Sequence, residues 1–197
     1  MTVVPTGETK AEPIPDERKE QIKRAALKVF AERGISGTKM SMIAAEAGVS
    51  QGLSYRYFES KEEIFTLLVQ EAMEAAQSAI HSLHQLPGTP LEQIRTLTAQ
   101  MLEDNQKYSF LLLQHARQSD DVPGKVKEIL GQYSPQETIQ QLAPILIKGQ
   151  ESGEFCAGDP SELLMLYFSV ITGLMLQETP EQGWFSQIDI LMKILTK

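Results

Sequence analysis

The sequence predicts an all-α fold, and three observations carry that prediction. Apolar residues recur at three- and four-residue spacing along nearly the whole chain after residue 15. One helix-start grammar also repeats, in Thr89-Pro90-Leu91-Glu92, Ser134-Pro135-Gln136-Glu137, Asp159-Pro160-Ser161-Glu162 and, with Gln for Glu, Thr179-Pro180-Glu181-Gln182. In each, an oxygen-bearing residue can cap the helix, proline sits where no N–H is needed, and the last residue can reach back to the cap. No stretch alternates apolar and polar residues between Gly- or Asn-rich turns, so no strand is expected.

The elements follow in order. Residues 1–15 hold Pro5, Pro13 and Pro15 with little to bury, and are expected to form a disordered arm. A first helix runs from about Asp16 to Arg33, with Ile22, Ala25, Ala26, Val29 and Phe30 inward and Gly34 as its cap. Met40, Ile43, Ala44 and Ala47 make a short second helix, which Gly48 ends. Ser50 caps a third over Gln51–Phe58. Ser60-Lys61-Glu62-Glu63 opens a fourth helix that continues into the eighties, close to 40 Å at ~1.5 Å per residue. Pro87-Gly88 closes it, and further helices start near 90, 106, 135, 160 and 182, with a short one near 125–132.

Composition narrows the function. The chain has 197 residues, 42% apolar and 22% charged, enough for a buried core. Its one cysteine, Cys156, excludes an internal disulfide and suits a reducing, cytoplasmic location. No signal peptide pattern opens it. The most apolar stretch, Leu163 to Leu176, falls short of the ~20 residues that span a bilayer, so no membrane partner is expected. Net charge is -8, unevenly spread. Between Asp16 and Lys61 there are nine Lys or Arg against six Asp or Glu; from Glu62 onward there are eight against eighteen. An anion-seeking N-terminal part on an acidic body fits that asymmetry, and so does an ordinary solvated surface.

The second and third helices, around a tight glycine turn and behind a longer supporting helix, make a helix-turn-helix. Gly48 supplies the positive φ of the turn. In such a unit the N-terminal residues of the second short helix meet base edges in the major groove. Thr38, Ile43-Ala44, Ala47-Gly48-Val49-Ser50, Gly52, Tyr55, Tyr57-Phe58 and Lys61 together resemble the TetR-family DNA-binding domain over residues 16–65. The resemblance implies that Gln51, Gly52 and Leu53 approach bases, that Thr38, Tyr55, Tyr57 and Lys61 hold phosphates, and that Ser41, beside Lys39, can reach a base. Gln can pair with adenine, and Tyr, Thr and Lys suit phosphate oxygens. Here Leu53 and Ser54 depart from the family's usual order of small polar then aliphatic. Leu53 would then turn inward and readout would shift toward Gln51 and Ser54. Phe58 reads as core and Tyr55 as a half-buried ring with a working hydroxyl.

The expected domains are therefore residues 1–15, an arm; 16–60, helix-turn-helix; and 61–197, a helical bundle for ligand binding and dimerisation. Leu163, Leu166, Tyr167, Val170 and Leu174 surround their helix on nearly every side, and Trp184, Phe185, Ile188 and Leu191 follow on the last. A helix apolar all round needs partners on every side, and a second copy of the chain would supply them in a four-helix interface. By the same resemblance the middle helices enclose a small-molecule effector, with Met73, Met101, Tyr108, Phe110, His115, Tyr133 and Phe155 as lining residues; each also reads as ordinary core. Met73 is expected to link effector to the fourth helix as a lever. His81 and His84 have metal-compatible spacing but no third ligand, so no metal or cofactor is expected.

Three function classes remain at this point. The first is a dimeric repressor released from a palindromic DNA operator by its effector, with activation as the opposite sign of control. A helical adaptor using the same unit to bind protein is the second. An enzyme is the third, and no Ser-His-Asp set, Glu-x-x-His pair, phosphate loop or carboxylate cluster supports it.

Overall fold

A computed structural model describes residues 15–177, 184 and 187–196, the side chains of residues 15, 16, 104 and 105 excepted. The arm up to residue 14, the Thr179-Pro180-Glu181-Gln182 start and Phe185 lie outside the described residues. Ten helices are described: α1 Pro15–Arg33, α2 Met40–Glu46, α3 Gln51–Tyr57, α4 Lys61–Leu83, α5 Pro90–Met101, α6 Asp104–Gln118, α7 Gly124–Gly131, α8 Pro135–Glu151, α9 Pro160–Met175 and α10 Ile188–Met192. No strand occurs among the described residues.

The helix starts follow the grammar of the sequence with one refinement. Among the described residues, only Thr89 and Glu92 make the reciprocal capping box. Ser134 caps through the Gln136 N–H, and Asp159 accepts from both Ser161 and Glu162 without help from the acid. Ser60 accepts from the Glu63 N–H, while the Glu63 carboxylate reaches past it to the Glu59 N–H at 2.6 Å. A carboxylate on the capping residue already satisfies two orphan donors, so nothing needs to reach back.

Two hydrophobic cores form. The first gathers Ile22, Val29 and Phe30 of α1, Ile43 of α2, Phe58, then Ile64, Phe65, Val69 and Met73 of α4, Leu112 and Ala116 of α6, and Val126 and Ile129 of α7. Phe30 and Phe65 meet edge to face at its centre, 5.0 Å between ring centroids. The second joins Ile80 and Leu83 of α4 to Ile94 and Leu97 of α5, Leu142, Ile145 and Leu146 of α8, Leu164, Tyr167 and Ile171 of α9, and Ile188, Leu191 and Met192 of α10. Residue 60 is the N-cap of α4, and the first core runs on past it as far as Met73. Helix α4 therefore belongs to both cores. So does α6, through Leu112 and Ala116 in the first and Phe110 against the second.

Polar ties reinforce the first core. Lys23 bridges α1 to α4 through Glu71 at 2.6 Å and also holds Glu20 at 3.0 Å. Burial alone would lower the Lys23 pKa, but hydrogen bonds and charge from Glu71 and Glu20 together raise it. At the far end, Gly149 of α8 packs directly against the Phe155 ring, which leaves no room for a Cβ there.

Candidate nucleic-acid interface

The α2–α3 turn is built from its own backbone. Ala47, Gly48 and Val49 donate their N–H groups to the carbonyls of Ile43, Ala45 and Ala44 at 2.9, 3.1 and 2.9 Å. Gly48 carries the positive φ, +64°, that lets the chain reverse. Ser50 then caps α3, its hydroxyl accepting from the Leu53 N–H at 3.2 Å. Ala44 is buried where α2 packs.

The surface of α3 follows from this. Gln51, Gly52, Tyr55 and Arg56 are exposed, two i,i+4 pairs on one side, with Tyr55 49% exposed. Leu53 and Tyr57 are half-buried, and Lys39 and Ser41 stand exposed around the start of α2. Arg56, which the sequence reading does not name, shares this exposed side four residues after Gly52.

Three expected contacts are corrected. Ser54 is fully buried, with its hydroxyl turned back to the Ser50 carbonyl at 3.5 Å. A serine takes the inward position because its own helix absorbs the hydroxyl; Leu53 stays half-buried instead of replacing it. Thr38 is buried too, and its hydroxyl donates to the Gly34 carbonyl at 2.7 Å. Lys61 donates to the carbonyls of Ile35 and Thr38 at 2.7 and 2.8 Å, with Glu62 at 3.9 Å. These side chains brace the α1–α2 turn from within, because its carbonyls have no helical partners.

The expected effector-lining residues do not converge on one space. Met73 is buried in the first core, and Tyr133 packs against that core. His115 touches α1, its Nε2 3.1 Å from the Ala31 carbonyl oxygen and its ring against Gly34. Phe155 is buried in the second core on Gly149. Only Met101 and Phe110 sit half-buried against the second core, while Tyr108 is half-buried in neither. Helical spacing identified inward faces, but α4 and α6 each serve two cores. Met73 thus lies in the first core, whereas Met101 and Phe110 lie against the second.

The expected dimer face divides as well. Tyr167, Ile188 and Leu191 are buried within the protomer, so they cannot meet a second copy. The Tyr167 hydroxyl is 2.7 Å from the Thr98 hydroxyl and 3.2 Å from the Met192 sulfur. Leu163, Val170, Leu174 and Trp184 are half-buried against the second core. Leu166 is 56% exposed, and Met165, Leu176, Ile147 of α8 and Ile190 of α10 are exposed with it. His84, the more C-terminal of the candidate metal pair, bonds the Gln141 carbonyl at 3.1 Å in α8, which runs unbroken through Pro144; His81 is exposed. The Cys156 thiol is half-buried beside the C-terminal segment. Among the described residues no helix is long and apolar enough to cross a membrane.

A helix-turn-helix with an exposed face on its second short helix, set on a helical body, defines a DNA-binding regulator. Comparison with known proteins gives the family. Residues 22–68 match the sequence profile of bacterial regulatory proteins of the tetR family. The chain is 30% identical over 142 residues to the fatty acid metabolism regulator protein of Bacillus subtilis (strain 168), covering 70% of this chain and 71% of that one. It is 33% identical over 92 residues to the transcriptional regulator AcrR of Shigella flexneri, spanning 44% of this chain and 41% of that relative. Its fold resembles the ketosteroid transcriptional regulator KstR2 of Mycobacterium tuberculosis, with a TM-score of 0.71 at 20% identity over 94% of this chain and 97% of the other. The fatty acid degradation regulator FadR of Bacillus halodurans gives 0.60 at 24% identity, over 93% and 95%. The chain belongs to the TetR family of DNA-binding transcriptional regulators, and these relatives are regulators, not enzymes.

Proposed function

We propose that this protein is a dimeric repressor that reads a palindromic operator with α3 of each protomer and is released by a small apolar effector. The observation that carries the reading is the exposed face of α3, with Lys39 and Ser41 beside it. Gln51 is suited to adenine, Gly52 lets the backbone approach, and Leu53 offers methyl contact to thymine. Ser41 can also reach a base, and Lys39, Tyr55, Tyr57 and Arg56 supply phosphate contacts, Arg56 having the reach for guanine also. Residues 16–60 would be the DNA-binding unit and residues 61–197 the effector and dimer unit.

The second copy would cover the exposed apolar residues Ile147, Met165, Leu166 and Leu176, with Val170 and Leu174 at the margin. Such a dimer sets two α3 helices about one DNA turn apart, ~34–36 Å, as a palindrome requires. The effector would enter the second core beside Met101 and Phe110. Helices α4 and α6 link that core to the first, so an effector that fits a dimer with wrongly spaced α3 helices weakens operator affinity by the difference in its own two affinities. Fatty acids are the first molecules to try, since one relative is named for fatty acid metabolism and one structural neighbour for fatty acid degradation. An adaptor reading would leave the basic and amide side chains around α3 without a task.

Fluorescence anisotropy on DNA from upstream of the protein's own gene, titrated with salt, tests this. Tight, sequence-selective binding that weakens with salt, is lost in a Gln51→Ala, Arg56→Ala double variant and is reversed by an acyl ligand is the expected result. Equal affinity for that DNA, genome-selected fragments and random DNA would overturn it.

A further inference from the structure

A residue of α1 reaches the α2–α3 turn through the Ala47 carbonyl. Turn N–H groups satisfy Ile43, Ala44 and Ala45, while the Ala47 carbonyl accepts from the Gln21 side-chain amide at 2.6 Å. The other end of that amide accepts from Arg18 Nη1 at 2.8 Å. Both partners agree on the amide's orientation, because the reverse would set acceptor against acceptor and donor against donor. Gln21 stands on a fixed platform, since its neighbour Ile22 and then Ala25 and Ala26 are buried in the first core. The peptide it holds is followed at once by Gly48, with its positive φ, and then by the Ser50 cap of α3.

We propose that Gln21 is a positioning residue for sequence-specific DNA binding: by holding the Ala47 carbonyl it sets the pitch of α3 against α1, and Arg18 orients it. The proposal rests on α3 being the recognition helix. Non-specific binding depends on charge, whereas base readout depends on the register of α3, so the two should separate when this hydrogen bond is lost.

The test uses the full-length protein and three variants. Gln21→Leu removes the donor without adding charge. Gln21→Glu keeps the acceptor for Arg18 but faces the Ala47 carbonyl with another acceptor. Gln21→Lys restores a donor of similar reach. One readout is the ratio of affinity for fragments selected by the wild type from a random pool to affinity for random DNA at one salt concentration. The other is hydrogen exchange over residues 47–58 in the free protein. The ratio is expected to fall about five- to tenfold in the Leu and Glu variants, the order of one net hydrogen bond, and to recover in the Lys variant. Random-DNA affinity of the Leu variant should stay at the wild-type value while exchange over 47–58 accelerates. A purely structural role would lower affinity for selected and random DNA together and leave their ratio at the wild-type value. A Leu variant with the wild-type ratio, or with unchanged exchange over 47–58, overturns the proposal. A wild type without any selected fragments overturns the DNA reading instead, and the exchange comparison then decides whether Gln21 holds the turn.

Discussion

The Lys61 ammonium at the first position of α4 lies 2.8 Å from the Thr38 carbonyl oxygen and 2.7 Å from that of Ile35. A cation at a helix start is electrostatically unfavourable, and here it is held by the turn that leads into α2. Lys61→Met would take the Lys61 donor from the enclosed Thr38 carbonyl and leave that of Ile35 with the longer bond from the Thr38 N–H at 3.3 Å, a loss of about 1–3 kcal/mol, read as a lower urea midpoint. The salt dependence of DNA binding should hardly change. Arg56→Ala should do the opposite, with stability unchanged and the salt slope reduced by about one.

Glu154 caps α5 across the second core, accepting from the Leu91 N–H at 2.9 Å. That backbone hydrogen bond, helped by Thr89 and Ser152 and opposed by partial burial, holds the Glu154 carboxyl below its ordinary value of 4.5. A depressed carboxyl contributes stability that is fully present above 4.5 and lost as pH falls through its folded-state value. Thermal melts of wild type and Glu154→Gln should therefore differ above that pH and converge in acid. Parallel melting curves across the range would count against the cap.

Gly149 and Phe155 leave no room between them. Gly149→Ala should destabilise by about 1–3 kcal/mol through overpacking, despite the better helix propensity of alanine. Pairing it with Phe155→Leu should recover part of the loss, which chemical denaturation can measure.

Leu166→Glu places a charge on the most exposed apolar side of α9. Sedimentation is expected to show a dimer for the wild type and a monomer for the variant, with far-UV circular dichroism unchanged. A Leu191→Glu variant should instead unfold, because Leu191 is buried in its own protomer.

Much of this fold could be read from the chain. The starts of α4, α5, α8 and α9 fall where Ser60, Thr89, Ser134 and Asp159 place them, since a cap followed by proline or a carboxylate is a local instruction. Local patterns say less about direction. The apolar surround of α9 concealed that Tyr167 faces inward and Leu166 outward, because both are apolar and only tertiary packing tells them apart. Ser54 and Thr38 misled for a related reason: a hydroxyl suits phosphate on the surface and an adjacent carbonyl in the interior equally well. Gln21 gave no local signal, its partner lying 26 residues away.

Helix α4 places Met73 in one core and Ile80 in the other. Exchange of binding specificity between relatives by recombination meets a constraint there. A cut at residue 60 would strip α1–α3 of Ile64, Phe65, Val69 and Met73, and any graft would still need Leu112, Ala116 and Val126 from α6 and α7 to close the same core. A viable chimaera joins within α4 between Met73 and Ile80 and brings its own α6 and α7. The helix-turn-helix is thus tied to part of the body, so changing the exposed side chains of α3 disturbs the packing less than swapping the first 60 residues.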